Sequence, residues 1–282
     1  MTLESLFDVK GRTAVITGGG GALAGTLAEA LSQLGVRVAV LDLNHENAKK
    51  RADVIRGSGG EALAVACSVL DQQDLERARK TIEDTWGVPD YLVNGAGGNN
   101  PRASTTEEFL EPEDLEREDI TGFFNMRQED FHAAFGLNFT GTLLPTRVFA
   151  RGMIRRGHGS ILNISSMAAF TPLTKIAAYS AAKAAVANLT KWLAVHFSHT
   201  GVRVNALSPG FFMTEQLRFL HIDQETGQYT SRAQKTIAHT PMGRYGEPSE
   251  LIGAAVWLLS DASRFVTGNV VPVDGGYSSY TI

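Results

Sequence analysis

The sequence predicts an α/β protein built as one doubly wound, parallel, seven-stranded sheet with helices on both faces. Three observations predict it. Short apolar, β-branched runs alternate with helical stretches along all 282 residues. The first run, Thr13–Thr17, ends in four consecutive glycines before a helical pattern begins. No linker, internal repeat or low-complexity tract divides the chain, so a single domain over 1–282 is expected. Strand–helix alternation sets helices between parallel strands, and right-handed crossovers then cover both faces.

Thr13–Thr17 (TAVIT) reads as a buried strand entering a tight turn. Residues 22–34 have helical spacing, with Leu23, Leu27, Ala30, Leu31 and Leu34 on one side and Gly35 as the stop signal. The alternation continues with a strand at 36–41, a helix at 45–56, a strand at 61–68, a helix at 74–85 and a strand at 91–93 that runs into NGAGG. A long helix at 128–154, a strand at 160–164, a helix at 177–198, a strand at 202–207, a helix at 250–260 and a last strand, Val270–Val273, complete it. Two segments break the rhythm, a polar, acidic insertion at 99–126 and the stretch 211–240. Both follow carboxyl ends of strands, where open α/β sheets bind ligands. The second reads as a substrate lid. The first reads as a lid neighbour or subunit contact, with a solvated excursion as the alternative.

Hydrophobic residues make up 43% and charged residues 20% of the chain, a balance that supports a packed core. The net charge of −4 comes without a basic stripe, so nucleic acid is not an expected partner. Arg155, Arg156 and His158 cluster locally and read as a solvated turn. The single cysteine, Cys67, lies beside an apolar run and reads as a small core residue, in keeping with a reducing compartment. The N-terminus carries Glu4 and Asp8 and lacks an apolar signal core. No apolar stretch approaches the roughly 20 residues that span a bilayer. A cytoplasmic protein with no membrane partner and no metal is expected.

The glycine-rich strand–turn–helix from Thr17 onward is a ready phosphate cradle. Glycines let backbone approach a pyrophosphate, and the helix start offers unpaired N–H groups. Asp42 ends the second strand, 24 positions after Gly18. A carboxylate there can accept hydrogen bonds from ribose hydroxyls and would repel a 2′-phosphate, which favours NAD over NADP. An ordinary strand-end turn Asp is the alternative.

Tyr179 and Lys183 are four residues apart on a strongly helical stretch and so share one face. A phenol titrates near pH 10, too high for acid–base work at neutrality, and a nearby ammonium favours its ionised form. Ser165 and Ser166 end the strand ILNISS, and a hydroxyl there can steady charge on a reacting oxygen. Asn138 sits mid-helix near Gly141, a poor place for Asn unless it has a purpose or a packed polar partner.

Taken together these motifs resemble the short-chain dehydrogenase/reductase family over nearly the full length. The matching stretches are TGGGGALA from Thr17, NGAG from Asn94, LNFTGT around Asn138, ISS ending at Ser166, YSAAK from Tyr179 to Lys183, SPG from Ser208 and VDGG from Val273. The resemblance implies a Rossmann-like NAD-dependent oxidoreductase acting on a secondary alcohol or ketone. It implies Tyr179 as acid–base, Lys183 as the group that lowers its pKa and holds the nicotinamide ribose, Ser166 as the carbonyl-orienting hydroxyl, and Asn138 as holder of a relay water. Cofactor contacts carried over with it are Gly18, Gly20 and Leu23 in the first turn, Asp42, Ser68 and Val69 after the second and third strands, Asn94 and Gly97 after the fourth, Tyr179 and Lys183 themselves, and Pro209, Gly210, Phe212 and Thr214 after the sixth. Relatives commonly form tetramers, which makes a homotetramer the expected assembly. Three departures stand out. Ala22 and Ala24 replace the last two glycines of the usual turn, Gly95 replaces an Asn, and Ser68 stands where an adenine-facing Asp is usual.

The 99–126 insertion, TEQ at 214–216 and AHTPMGRYGEP at 238–248 further resemble the D-mannonate oxidoreductase (fructuronate reductase) branch, which implies a sugar-acid substrate. A carboxylate needs a cation and hydroxyls need polar partners. Asn99, Asn100, Arg102, Lys175, Arg218 and His239 are the available candidates, and Arg244 reads as structural. The alternatives are a reductase for another polyol or a 3-oxoacyl group and, in a different class, a dinucleotide-binding protein without catalysis.

Overall fold

The computed structural model describes residues 2–214, 217–218 and 221–281. Seven strands run β1 (Thr13–Thr17), β2 (Arg37–Asp42), β3 (Ala62–Ala66), β4 (Tyr91–Asn94), β5 (Gly159–Ile164), β6 (Val202–Pro209) and β7 (Val270–Val273). They form one sheet in the order β3-β2-β1-β4-β5-β6-β7, with every neighbouring pair parallel. The strand order reverses between β1 and β4, so the crevice beyond their carboxyl ends is the place where such a sheet takes a ligand.

The described helices are α1 (Leu3–Phe7), α2 (Ala22–Gln33), α3 (His45–Gly57), α4 (Gln72–Trp86), α5 (Gln128–Arg156), α6 (Ala177–His196), α7 (Ser231–Ala238) and α8 (Ile252–Leu259). Three pack on each face. Strand residues alternate between the faces because successive side chains point opposite ways. Ala14, Ile16, Val38 and Val40 join Leu27 and Leu31 of α2, Ala52 and Ile55 of α3, and Ala255 and Leu258 of α8. Val15, Ala39, Leu41 and Leu92 join Leu75 and Ile82 of α4, Phe149 and Met153 of α5, and Leu193 of α6. The doubly wound architecture expected from the alternation is the one observed.

Several expectations need correction in detail. α1 and α7 are helices that the periodicity did not predict. A Thr2–Ser5 capping box starts α1, and the Thr230 hydroxyl caps α7. The helix expected over 250–260 is a 3-10 turn, Pro248–Leu251, followed by α8. The insertion contains two 3-10 turns, Pro101–Ala103 and Pro112–Glu116, each opened by a proline. Arg156 is not part of a freely solvated turn. It donates to the carbonyls of Val88 (2.7 Å) and Pro89 (3.0 Å) and pairs with Asp90 at 3.2 Å. Asp90 in turn accepts the Thr13 N–H at 2.9 Å, so these groups splint the lower edge of β1 and β4.

Cys67 is 3% exposed, and burial pushes its thiol up to about 12. A thiol-specific disulfide reagent is therefore expected to find no reactive thiol in the native protein at pH 8 and one per chain after unfolding. Rapid native reaction would contradict that burial. No described helix is long and apolar enough to cross a membrane.

Candidate active site

The crevice is built first from backbone. After β1 the chain turns at Gly18, whose φ of +62° disfavours other residues. A Cβ there would lie 2.7 Å from Ala96 Cα, so the turns after β1 and β4 touch where the strand order reverses. The Thr17 hydroxyl ties them, accepting the N–H groups of Gly95 (3.1 Å) and Ala96 (3.2 Å). α2 begins at Gly21 with no side-chain cap, which leaves its first-turn N–H groups open to an outside acceptor. Leu23 is half-buried and packs onto the core beneath. Ala24 fits where the resemblance leads one to expect glycine, because Gly95 faces it: a Cβ on Gly95 would lie 2.7 Å from the Ala24 Cβ. The two departures compensate each other.

Asp42 is held at the mouth. One carboxylate oxygen accepts the Gly20 N–H at 3.1 Å, the other the Asn44 N–H at 2.9 Å. Arg51 of α3 packs over Gly25 and pairs with Glu29. Ser68 accepts the Leu70 N–H and donates its own backbone N–H to Asp74, and Val69 is buried against Gly141. Asn94 is 1% exposed and lies inside the sheet. Its amide donates to Thr146 (2.9 Å) and Asn163 (2.8 Å), and Asn163 donates to Thr190 at 2.9 Å. Asn94 thus braces the crevice from beneath. The Asn163–Thr190 half of this network carried no sequence motif that pointed to it.

The reacting groups come from three elements. β5 ends at Ile164 and delivers Ser166, whose hydroxyl accepts the Ala168 N–H at 3.1 Å and stands near enough to the Tyr179 phenol to favour its ionised form. α6 carries Tyr179 and Lys183 one turn apart, with the ammonium 5.6 Å from the phenol ring centre. Lys183 is buried. Its Nζ donates to the Ile164 carbonyl at 2.8 Å, and Ser165 donates to the Lys183 carbonyl at 2.9 Å. Burial lowers the Lys183 ammonium to about 8. Burial also raises the Tyr179 phenol, while the Ser166 hydroxyl pulls it the other way. In the protein alone the direction is set by burial, which penalises the charged forms of both groups, and not by the depression expected from Lys183.

Asn138 is fully buried, and its amide is committed. It donates to the carbonyls of Gly98 and Ala134, both at 2.8 Å, and accepts the Gly98 N–H at 3.1 Å. It clamps α5 to the β4 turn. A Cβ on Gly97 would lie 2.6 Å from the Asn138 Oδ1 and 3.2 Å from the Lys183 Nζ, so only glycine fits between them.

Beyond β6, Pro209 closes the strand and Gly210 donates to the Val273 carbonyl at 2.9 Å. Phe212 is 5% exposed and stacks against Gly246, and the Thr214 hydroxyl accepts the Leu217 N–H at 3.2 Å. Glu215 and Gln216 of the TEQ motif lie outside the described residues. Sequence reasoning missed the tie between His221 and Tyr245, both buried and 2.5 Å apart at Nδ1 and Oη, which fastens the 211–240 segment to the Gly246 turn.

The candidate cations differ in availability. Arg102 pairs with Asp130 at 3.2 Å, and Arg244 forms a two-pronged pair with Glu250 at 2.7 Å on each prong. His239 lies among the rings of Tyr277 and Tyr280, and Arg218 is exposed. Asn99 donates to Ser104, and Asn100 caps the first 3-10 turn. Lys175 donates to the Thr106 carbonyl at 2.6 Å.

Comparison with known proteins gives a consistent picture. Residues 20–278 match the family model described as enoyl-(acyl carrier protein) reductase, of the short-chain alcohol dehydrogenase type. An uncharacterized oxidoreductase, UxuB, of Bacillus subtilis is 46% identical over 97% of both chains. Gluconate 5-dehydrogenase of Gluconobacter oxydans is 33% identical over 98% of both. A crystal structure from Haemophilus influenza, provisionally named a D-mannonate oxidoreductase and holding NAD, superposes with a TM-score of 0.92 at 47% identity over 97% of each chain. A gluconate 5-dehydrogenase from Burkholderia cenocepacia, solved with NADP and tartrate, gives 0.84 at 33% identity, covering 98% of this chain and 99% of that one.

Proposed function

The chain belongs to the short-chain dehydrogenase/reductase family and is an NAD(P)-dependent oxidoreductase acting on CH–OH groups; from that premise, we propose that it interconverts a sugar-acid secondary alcohol and its ketone, such as D-mannonate and D-fructuronate, with NAD. The observation that carries the reading is the convergence of Ser166, Tyr179 and Lys183 beside the crevice at the strand reversal. The sugar-acid class is supported by the similarity to a provisionally named D-mannonate oxidoreductase and to gluconate dehydrogenases.

The protein fits a dinucleotide. Gly18 leaves no room for a side chain, the α2 start is uncapped, and Asp42 stands at the end of β2 with a fixed carboxylate. Gly18, Gly20 and Leu23 would take the pyrophosphate side with Thr214. Asp42, Ser68, Val69, Asn94 and Gly97 would frame the adenosine. Pro209, Gly210 and Phe212 would flank the nicotinamide. That ring supplies the hydride acceptor or donor.

The protein residues manage the proton. The Tyr179 phenolate takes it from the alcohol during oxidation, and the phenol so formed returns it to the carbonyl oxygen during reduction. Ser166, next to Tyr179, holds the same oxygen and steadies its charge. Lys183 keeps a positive charge beside the phenolate and holds the ribose. Asn138 fixes the geometry by clamping Gly98 to α5, and its backbone oxygen, which also takes the Thr142 hydroxyl at 3.0 Å, is the atom available for a relay water. Assembly as a homotetramer fits the exposed apolar side chains of Trp192, Val195 and Phe265.

The test is absorbance at 340 nm with hexonates, hexuronates, polyols, steroids and 3-oxoacyl thioesters, each with both cofactors. Preference for a hexonate–hexuronate pair with NAD is expected, and activity on steroids or thioesters alone would reject the substrate class. Asp42→Ser is expected to lower kcat/KM for NAD by about 10–100-fold, the loss of one or two charge-assisted hydrogen bonds, while improving use of NADP. Unchanged cofactor preference would remove Asp42 from the ribose site.

A further inference from the structure

The insertion touches α5, α6 and the 211–240 segment. At its base the Thr105 N–H donates to the Lys175 carbonyl at 2.8 Å, and the Lys175 ammonium donates back to the Thr106 carbonyl at 2.6 Å. The Thr106 N–H bonds the Thr121 carbonyl at 2.8 Å, and the Thr121 N–H bonds the Thr106 hydroxyl at 2.9 Å, so the two ends of the insertion close on each other at this point. Ala103 at one end packs with Ala134 of α5 and Ala178 of α6, all at most 2% exposed, and Met126 at the other end lies against the same cluster. Ala178 adjoins Tyr179. Farther out, Glu108 lies 3.5 Å from Lys235 on α7, the helix of the 211–240 segment.

Lys175 is the hinge of this arrangement. It stands four residues before Tyr179, just outside α6, and it is the one described non-glycine residue with a left-handed backbone, φ +70°. A lysine adopts that conformation only where surrounding contacts hold it, and the paired bonds to Thr105 and Thr106 supply them. Both directions of the clasp come from Lys175, one through its backbone and one through its side chain. No carboxylate pairs with this ammonium among the described residues, whereas Arg102 and Lys235 are each ion-paired.

We propose that Lys175 is a positioning residue that fastens the 99–126 insertion as a wall of the substrate cleft, and so sets which alcohol the site accepts. This rests on the reading above that the chemistry takes place at Tyr179. Glycine at this position would relax the backbone and lose the side-chain bond. Methionine keeps the length and loses the donor, and arginine keeps the donor.

Lys175→Met and Lys175→Arg separate these cases by steady-state kinetics and amide hydrogen exchange on the full chain. Lys175→Met is expected to speed exchange at Thr105, Thr106 and Thr121 and to raise KM for the best alcohol of the panel at least 10-fold, with the change falling mainly in KM. NAD affinity, read by quenching of protein fluorescence, and the melting temperature are expected to stay put. Lys175→Arg is expected to restore both exchange and KM. Faster exchange with an unmoved KM would make the clasp merely structural and overturn the proposal, as would unmoved exchange. A wild-type protein inert towards hexonates but active on another alcohol would instead sink the sugar-acid reading, and Lys175 would then be judged on that other alcohol.

Discussion

Tyr179→Phe is expected to lower kcat about 10²–10⁴-fold while leaving NAD affinity and melting temperature unchanged. The variant removes one oxygen and keeps the ring, so packing on α6 is retained. The Lys183 ammonium, 5.6 Å from the ring centre, loses only its acid–base partner. The Ser166 hydroxyl keeps the Ala168 N–H. What disappears is the group that accepts the alcohol proton as the hydride leaves. Steady-state assays at 340 nm in both directions read this out. A variant that retained more than a tenth of wild-type turnover would show that another group carries the proton. Equal, negligible turnover of every candidate alcohol by both proteins would favour a dinucleotide-binding role without catalysis.

Lys183→Met is expected to separate activity from stability in opposite directions. The Lys183 ammonium is buried and bonded to one neutral carbonyl, so desolvation lowers it from the ordinary 10.5 to about 8. Between those two values the unfolded chain binds a proton that the folded chain does not, and stability therefore rises with pH across that window. Below about pH 8 the buried charge is a standing cost, on the order of 3 kcal/mol for a shift of this size. Methionine fills the same space without it. The variant is expected to lose at least 100-fold in kcat/KM, to melt no lower than wild type at pH 7, and to show a flatter stability profile between pH 8 and 10.5. Denaturant unfolding at several pH values measures all but the first. A variant that melted well below wild type would show that the Nζ–Ile164 bond outweighs the desolvation. Binding of NAD would shift this balance, since Lys183 would then gain ribose hydroxyls as partners.

Much of the fold was legible because strand and helix have different periods. Alternating residues of β1, β2 and β4 divide cleanly between the two faces, and α2 and α4 to α6 follow their apolar stripes. α7 was hidden because a short helix in a loop of mixed polarity lacks a long stripe. Its start depends on the Thr230 hydroxyl and its packing on two buried residues, Ala233 and Thr236. At the site, Tyr179 and Lys183 were readable from helical spacing taken together with Ser166 and Asn138, since one helical turn brings the pair together. Asn138 was readable as odd, but its partners were not: Gly98 is 40 positions away, and only the fold brings them together. The same holds for the Lys175–Thr106 bond, which spans 69 positions. Ala24 opposite Gly95 looked like two departures in sequence and is one packing solution in space.

The most direct measurement follows a label. A hexonate carrying deuterium on the carbinol carbon that is oxidised is turned over with NAD, and the reduced cofactor is examined by proton NMR. The account predicts one deuterium at the nicotinamide C4 for each ketone formed, on a single face of the ring, and a transfer at least 100-fold slower in Tyr179→Phe. Ketone formed without deuterium in the cofactor, or transfer undiminished by loss of the phenol, would contradict it.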